Sequence, residues 1–344
     1  MLTLPVFEWV RPASLAEALA AFAQTPADSL WIAGGTDAVP NLKHRLHEPK
    51  RIVSLAGVRE LHHAREDAEG LHLGALLTLR ELAEHALVRR DHPALAKAAS
   101  LVASPQIRNM GTLGGNICLD TRCTYYNQTF FWREALGFCL KKDGTCCHVV
   151  PQGKRCVAAH SSDVAPMLIA LGADVEIASP GGMPEGAAPR PAPESATELR
   201  RIELNSFFVG DGIHNNVLLP GELVTKVVVP AVAKGLRAGY QKLRPRGAID
   251  FPMLSVAAAG RLEAGAITQL RIVVSALGAK PRVLGQLDAL ALGKPADEAT
   301  FEAIAAAAYK QCHPLTNVPY DHEWRHEMVP VFVKRVLRDA FGEA

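Results

Sequence analysis

At 344 residues, 49% of them hydrophobic, the chain is long enough for two or three domains with real cores. A net charge of +2 and thirteen scattered histidines give no strong field and no basic, aromatic-interleaved run, so neither nucleic acid nor a membrane surface is an expected partner. No stretch approaches the ~20 apolar residues of a membrane span. The opening MLTLPVFEWVRPASL lacks a basic start and is interrupted by Pro5, Glu8 and Arg11, so it is not a signal peptide and a cytoplasmic location is expected.

Ser14 and Glu17 form a capping-box pattern ahead of LAEALAAFA, a predicted helix. SLWIA (29–33) and RIVSL (51–55) predict short strands on either side of a sharp GGTD turn. LHLGALLTL (71–79) is strand-like, and Thr78 with Glu81 opens a helix through His85. A second helix is predicted over 91–103, with Pro93 in its first turn. VAPMLIALGA predicts a helix ending at Gly172, followed by the strand ADVEIA, and 179–197 reads as a Pro/Gly/Ala-rich loop. ELVTKVVVP (222–230) alternates like a strand. YQKL, LSVAAAGRL and LRIVVSAL then predict three antiparallel strands, followed by helices over PRVLGQLDALAL, DEATFEAIAAAAYKQC and about 323–341. Strands followed by helices imply an α+β unit at the C-terminal end. The expected division is 1–222, with lobes of about 1–56 and 57–222, and 223–344.

Two glycine pairs carry the first chemistry. In AGGTD (33–37) the pair lets backbone approach a ligand closely, and successive N–H groups can form an anion nest. An ordinary tight turn explains a lone pair better, and the pattern is not the GxGxxG of a Rossmann site. TLGGN (112–116) repeats the device, and two such turns can cradle one extended dinucleotide.

Of the seven cysteines, all but Cys312 lie between 118 and 156. In a reducing compartment such clustering reads as metal-binding or redox-active. Four thiolates suit zinc and an iron–sulfur cluster equally, and the residues alone leave both open. Cys123, Cys139, Cys147 and Cys156 are the candidate ligands. Cys146 competes with its neighbour Cys147, while Cys118 and Cys312 read as buried thiols. Tyr125, Tyr126, Phe130, Phe131 and Trp132 would give the apolar shell of a partly buried cluster. Lys141, Lys142, Lys154 and Arg155 form either a docking face for an acidic electron carrier or a solvated face.

The ordered set AGGTD, QIRNMGTLGGNIC, SSDVAP with LGA, and YQKLRPRGAIDFPMLSVAA resembles the FAD-binding medium subunits of the xanthine oxidase family of molybdenum enzymes along essentially the whole chain. The resemblance implies an α+β fold: a two-lobed, PCMH-like FAD domain of the vanillyl-alcohol-oxidase type, then a smaller α+β domain. It implies FAD contacts from Ile32, Ala33, Gly34, Gly35, Thr36 and Asp37, from Val102 and Ile107, from Thr112, Gly115 and Asn116, and from Asp163 and Lys242. Asp163 could equally be a plain helix N-cap, and Lys242 a solvated strand lysine. A catalytic acid or base is not expected in this chain.

The insertion at about 119–160 resembles the branch typified by 4-hydroxybenzoyl-CoA reductase, whose flavoprotein subunit carries an extra 4Fe–4S cluster. That implies FAD plus one 4Fe–4S cluster on Cys123, Cys139, Cys147 and Cys156. It also implies a large molybdopterin-binding subunit, a small 2Fe–2S subunit, a dimer of heterotrimers, and reduced ferredoxin as electron donor. Electrons would pass by way of the cluster and FAD to the partners, for reductive dehydroxylation to benzoyl-CoA. The alternative is another molybdenum hydroxylase flavoprotein, delivering electrons to NAD or oxygen, with structural zinc in the insertion.

Overall fold

The computed structural model describes residues 2–180 and 197–342. Strands β1 (Glu8–Val10), β2 (Ser29–Ile32) and β3 (Arg51–Ser54) form a parallel three-stranded sheet in the order β1-β3-β2. Parallel neighbours cannot be joined by a tight turn. The crossovers are the helices Leu15–Ala23 and Ala38–Lys43. The second corrects the strand–turn–strand expectation, because GGTD leads into a helix. The first begins where the Glu17 N–H donates to Ser14 Oγ at 3.2 Å, and it buries Ala18, Leu19 and Phe22.

A second, antiparallel sheet holds β4 (Ala64–Glu66), β5 (Gly70–Gly74), β6 (Asp174–Pro180), β7 (Thr197–Glu203) and β8 (Leu223–Pro230), in the order β4-β5-β8-β6-β7. The predicted strand over 71–79 stops at Gly74. Thr78 there caps the helix Leu79–Glu84 in a complete capping box with Glu81. β8 lies between β5 and β6, so the strand expected to begin the C-terminal unit belongs to the second lobe's sheet. The chain changes sheets only after Pro230. Most of the expected 179–197 loop lies outside the described residues, and its ends complete β6 and begin β7.

The third sheet is antiparallel: β9 (Arg237–Leu243), β10 (Leu254–Glu263), β11 (Ala266–Ser275) and β12 (Arg282–Val283), in the order β12-β11-β10-β9. It has four strands rather than three, because Arg282 and Val283 pair with β11. The helix predicted over PRVLGQLDALAL shrinks to Asp288–Ala291. Helices Glu298–Gln311 and His322–Phe341 cover one face.

From Val256 to Ala259 β10 is apolar because both of its faces are buried there. Ala257 and Ala259 enter the core shared with the second lobe, while Val256 and Ala258 enter the core under the helices. The helix Val164–Ala170 is buried at every residue, since it lies between that sheet and the second lobe. Its C-terminal Gly172 has φ +74. Among the described residues, no helix is long and apolar enough to cross a membrane.

Candidate functional site

All the expected flavin positions except Asp163 and Lys242 line one cavity of about 490 Å³. Its walls come from β2 and its following turn, from 75–79, from 102–120, and from the approach to β8. The two glycine turns touch. A Cβ on Gly34 would sit 1.8 Å from the Met110 carbonyl oxygen, so this glycine is required for turn-to-turn packing rather than for ligand approach alone. Gly35 has φ +70, a left-handed conformation that glycine adopts without strain. A Cβ on Gly115 would meet only the Thr112 hydroxyl oxygen, at 2.9 Å.

The second turn is tied to the second lobe. The Leu113 N–H donates to Leu77 O and the Gly114 N–H to Ala75 O, both at 2.8 Å. Thr112 Oγ1 accepts from the Gly115 N–H at 3.1 Å. Asn116 Oδ1 accepts from Ser162 Oγ at 2.7 Å and from the Val164 N–H at 3.4 Å, which ties the turn to the start of helix Val164–Ala170. Asp37 is held by Asn41 Nδ2 at 3.0 Å and by an ion pair with Arg122, whose guanidinium lies over the Phe251 ring. Burial pushes Arg122 down to about 10.

Asp163 does not cap its helix, since its side chain makes no capping bond. Ser162 Oγ accepts from the Ala165 N–H instead. The Asp163 carboxylate accepts from Tyr240 Oη and from Lys242 Nζ, both at 2.8 Å, and Lys242 also donates to Leu101 O at 3.0 Å. The Lys242 side chain is fully buried, so it is not a solvated lysine. Burial pushes the Asp163 carboxyl up and the Lys242 amine down, and each partner's charge opposes the shift. The trio joins β9 to the second lobe and holds the backbone at Leu101, the neighbour of the cavity-lining Val102.

Sequence reasoning missed Trp31, His47, Leu76, Asp120, Asn215, Ile249 and Phe251 in the cavity lining. Phe251 lies in the quoted YQKLRPRGAIDFP stretch, which offered a signal. Trp31 is set by stacking on Phe22 at 4.2 Å and by donating to Glu222 O at 3.2 Å, contacts between distant segments with no local pattern.

Cys123, Cys139, Cys147 and Cys156 line one small cavity with Tyr125, Tyr126, Lys141 and His148. Cys146 is exposed, Cys118 lines the flavin-side cavity, and Cys312 is buried in the C-terminal core. Burial pushes Cys118 up to about 12. It pushes Cys123 up to about 11, with the thiols of Cys156, Cys139 and Cys147 adding to the effect. The Ala158 N–H donates to Cys156 Sγ at 3.4 Å.

The expected aromatic shell is corrected in part. Tyr125 and Tyr126 line the cavity, but Phe130, Phe131 and Trp132 are exposed on the helix Phe130–Ala135, whose buried residue is Arg133. The basic group, read as a docking face or a solvated face, is corrected at Lys141. The Lys141 side chain is 5% exposed and bonded internally, while Lys154 and Arg155 are exposed.

The segment is stitched into the fold. Arg133 donates to His44 O and Arg45 O, the Gly212 N–H donates to Cys156 O, and Asn317 Nδ2 donates to Val157 O. Among the described residues, the group of three metal-ligating side chains with ligand atoms all within 4.8 Å of one another is Asp67, Glu69 and His72, not the thiols.

Residues 5–188 match the family of the FAD binding domain in molybdopterin dehydrogenase, and 238–340 match the CO dehydrogenase flavoprotein C-terminal domain. The aldehyde oxidoreductase FAD-binding subunit PaoB of Escherichia coli is 33% identical over 74% of this chain and 77% of its own. The carbon monoxide dehydrogenase medium chain of Hydrogenophaga pseudoflava is 26% identical over 98% of both chains. A solved structure of carbon monoxide dehydrogenase from the same organism superposes with a TM-score of 0.77 at 25% identity, covering 98% of each chain. The first family match spans more than half of the chain and falls on both glycine turns, so the protein belongs to the FAD-binding medium subunits of the xanthine oxidase family of molybdenum enzymes.

Proposed function

We propose that this chain is the flavin and iron–sulfur electron-transfer subunit of a 4-hydroxybenzoyl-CoA reductase-type enzyme, taking electrons from reduced ferredoxin. The substrate chemistry lies on a partner: two electrons and two protons convert 4-hydroxybenzoyl-CoA into benzoyl-CoA and water. The observation that carries this reading is the gathering of Cys123, Cys139, Cys147 and Cys156 into one cavity between the two halves of the flavin pattern. Partners on this reading are a large molybdopterin-binding subunit and a small 2Fe–2S subunit, assembled as a dimer of heterotrimers.

The residues fit both groups. For FAD, the open face at Gly115 leaves a cradle that a side chain would fill, and Gly35 turns the backbone through the left-handed region. Ile32 to Asp37 and Thr112 to Asn116 would hold it, with Val102 and Ile107 against the ring system. Asp163 and Lys242 would act through the backbone at Leu101, which adjoins Val102. For a cubane, four soft thiols share one cavity. Zinc, at about 2.3 Å from each sulfur, is the rival occupant of four thiolates, and the flavin neighbour favours a redox-active group over it. When bound, FAD would couple one- and two-electron carriers and the cluster would supply one-electron transfer. The chain's own part is to orient both groups and exclude water.

A second reading, aldehyde oxidation with electrons flowing outward, is favoured by the 33% identity to PaoB. The test is to purify the tagged chain anaerobically with its accompanying subunits. The complex is then assayed with 4-hydroxybenzoyl-CoA and a reduced donor, and separately with aldehydes and an acceptor. Benzoyl-CoA formation is expected. Aldehyde turnover with no dehydroxylation would transfer the assignment to the second reading.

A further inference from the structure

We propose that Lys141 is the charge that sets the reduction potential of the group held by Cys123, Cys139, Cys147 and Cys156, with Asp120 as its counter-charge on the flavin side. This rests on the reading of that cavity as an iron–sulfur site. Lys141 is the one lysine or arginine among the residues lining the cysteine cavity. Its Nζ donates to Asp120 Oδ1 and to Thr121 Oγ1, both at 2.6 Å, and lies 4.2 Å from the centre of the Tyr126 ring. Asp120 and His47 line the other cavity, where the flavin would sit. An ion pair of enclosed Lys141 with half-buried Asp120 therefore spans the wall between the two sites, and the second Asp120 oxygen, which has no hydrogen-bond partner, faces His47 Nε2 at 3.9 Å.

A buried ammonium is costly to keep, and a buried pair is often replaced by apolar groups at no loss of stability. Stability alone gives no reason for this lysine. Its position does. Reduction adds one electron to a group that four thiolates already make anionic. A fixed cation against that group stabilises the reduced form more than the oxidised form, and poorly screened interior charges act strongly. Removing the cation should lower the midpoint potential. Removing the counter-anion should raise it.

The experiment is a dithionite titration with redox mediators, on the full chain purified anaerobically with its accompanying subunits. The titration is followed by low-temperature EPR, with iron, sulfide and flavin measured on each sample. Lys141→Met is expected to keep iron and FAD while its cluster midpoint moves to lower potential. Asp120→Asn should move it to higher potential, and Lys141→Arg should stay near the parent value. Opposite shifts are a signature that a purely structural ion pair would not give. Unmoved midpoints, or shifts of the same sign in Lys141→Met and Asp120→Asn, overturn the proposal. If Lys141→Met loses its iron, Asp120→Asn decides alone, and an unmoved or lowered midpoint there overturns it. A parent protein with flavin but no iron or sulfide overturns the cluster reading and this inference with it.

Discussion

The flavin-side cavity and the cysteine cavity are built in opposite ways. The first is assembled from segments as far apart as Trp31, Asn116, Leu223 and Phe251, and much of its wall is backbone brought close by glycine. The second is supplied by one stretch, 123–158, through side chains. Where such a site is closed by backbone packed on backbone, as at Gly34 against Met110, it cannot be altered without disturbing the fold. A site made from local thiols can lose its ligand and leave the rest standing. The separation concerns ligand supply alone, since Arg122 and Arg133 tie the cysteine segment to the first lobe.

The sharpest break in that comparison would come at Lys242. Lys242→Met leaves Asp163 buried without its cation and should cost about 3–5 kcal/mol of stability, read by thermal or denaturant unfolding. Adding Asp163→Asn should recover part of the loss. A variant with unchanged stability and an altered flavin spectrum would instead make Lys242 a direct flavin contact.

Gly34→Val should follow, at about 1–3 kcal/mol or more of overpacking, with loss of both FAD and melting temperature, because the added atoms meet Met110 backbone. Gly115→Val should keep the fold and lose flavin. Equal melting temperatures for the two variants would erase the distinction drawn between the turns.

Serine substitutions at Cys123, Cys139, Cys147 or Cys156 should abolish iron binding with FAD retained. Cys146→Ser, Cys118→Ser and Cys312→Ser should keep iron. Loss of iron in Cys146→Ser with retention in Cys147→Ser would reverse that assignment. Loss of flavin together with iron in Cys139→Ser would show that the two sites are not separable.

The smallest effect at neutral pH belongs to His160, where the cysteine segment meets the C-terminal sheet through Ser275 Oγ at 3.0 Å. Burial lowers His160 to about 3 from 6.5. Below pH 6.5 the unfolded chain takes up a proton that the folded chain refuses. Its contribution is therefore complete above pH 6.5 and is lost as pH falls towards 3. Thermal melts from pH 8 to pH 4 should fall more steeply for the parent than for His160→Asn, and parallel curves would contradict this.

Much of this site was legible because the informative residues are chemically special and locally grouped. Two glycine pairs flanked by threonine, and a run of cysteines, stand out without any knowledge of pairing. What was not legible depends on tertiary contacts. β8 reads as a strand, but which sheet takes it is decided by β5 and β6. Phe130, Phe131 and Trp132 read as a shell, yet Arg133 takes the inward face of their helix to reach two carbonyls. Lys141 reads as one of four surface cations and is enclosed, because Asp120 and Thr121 sit where its ammonium ends.

The central claim is that this flavin subunit carries an iron–sulfur cluster in its insertion. Its most direct test is metal, acid-labile sulfide and flavin content of the anaerobically purified chain, freed from other subunits, together with its visible spectrum. The account predicts iron and sulfide in equal amounts, one FAD per chain, and broad charge-transfer absorption beneath the flavin bands. Stoichiometric zinc with no sulfide, beside the same flavin, would contradict it.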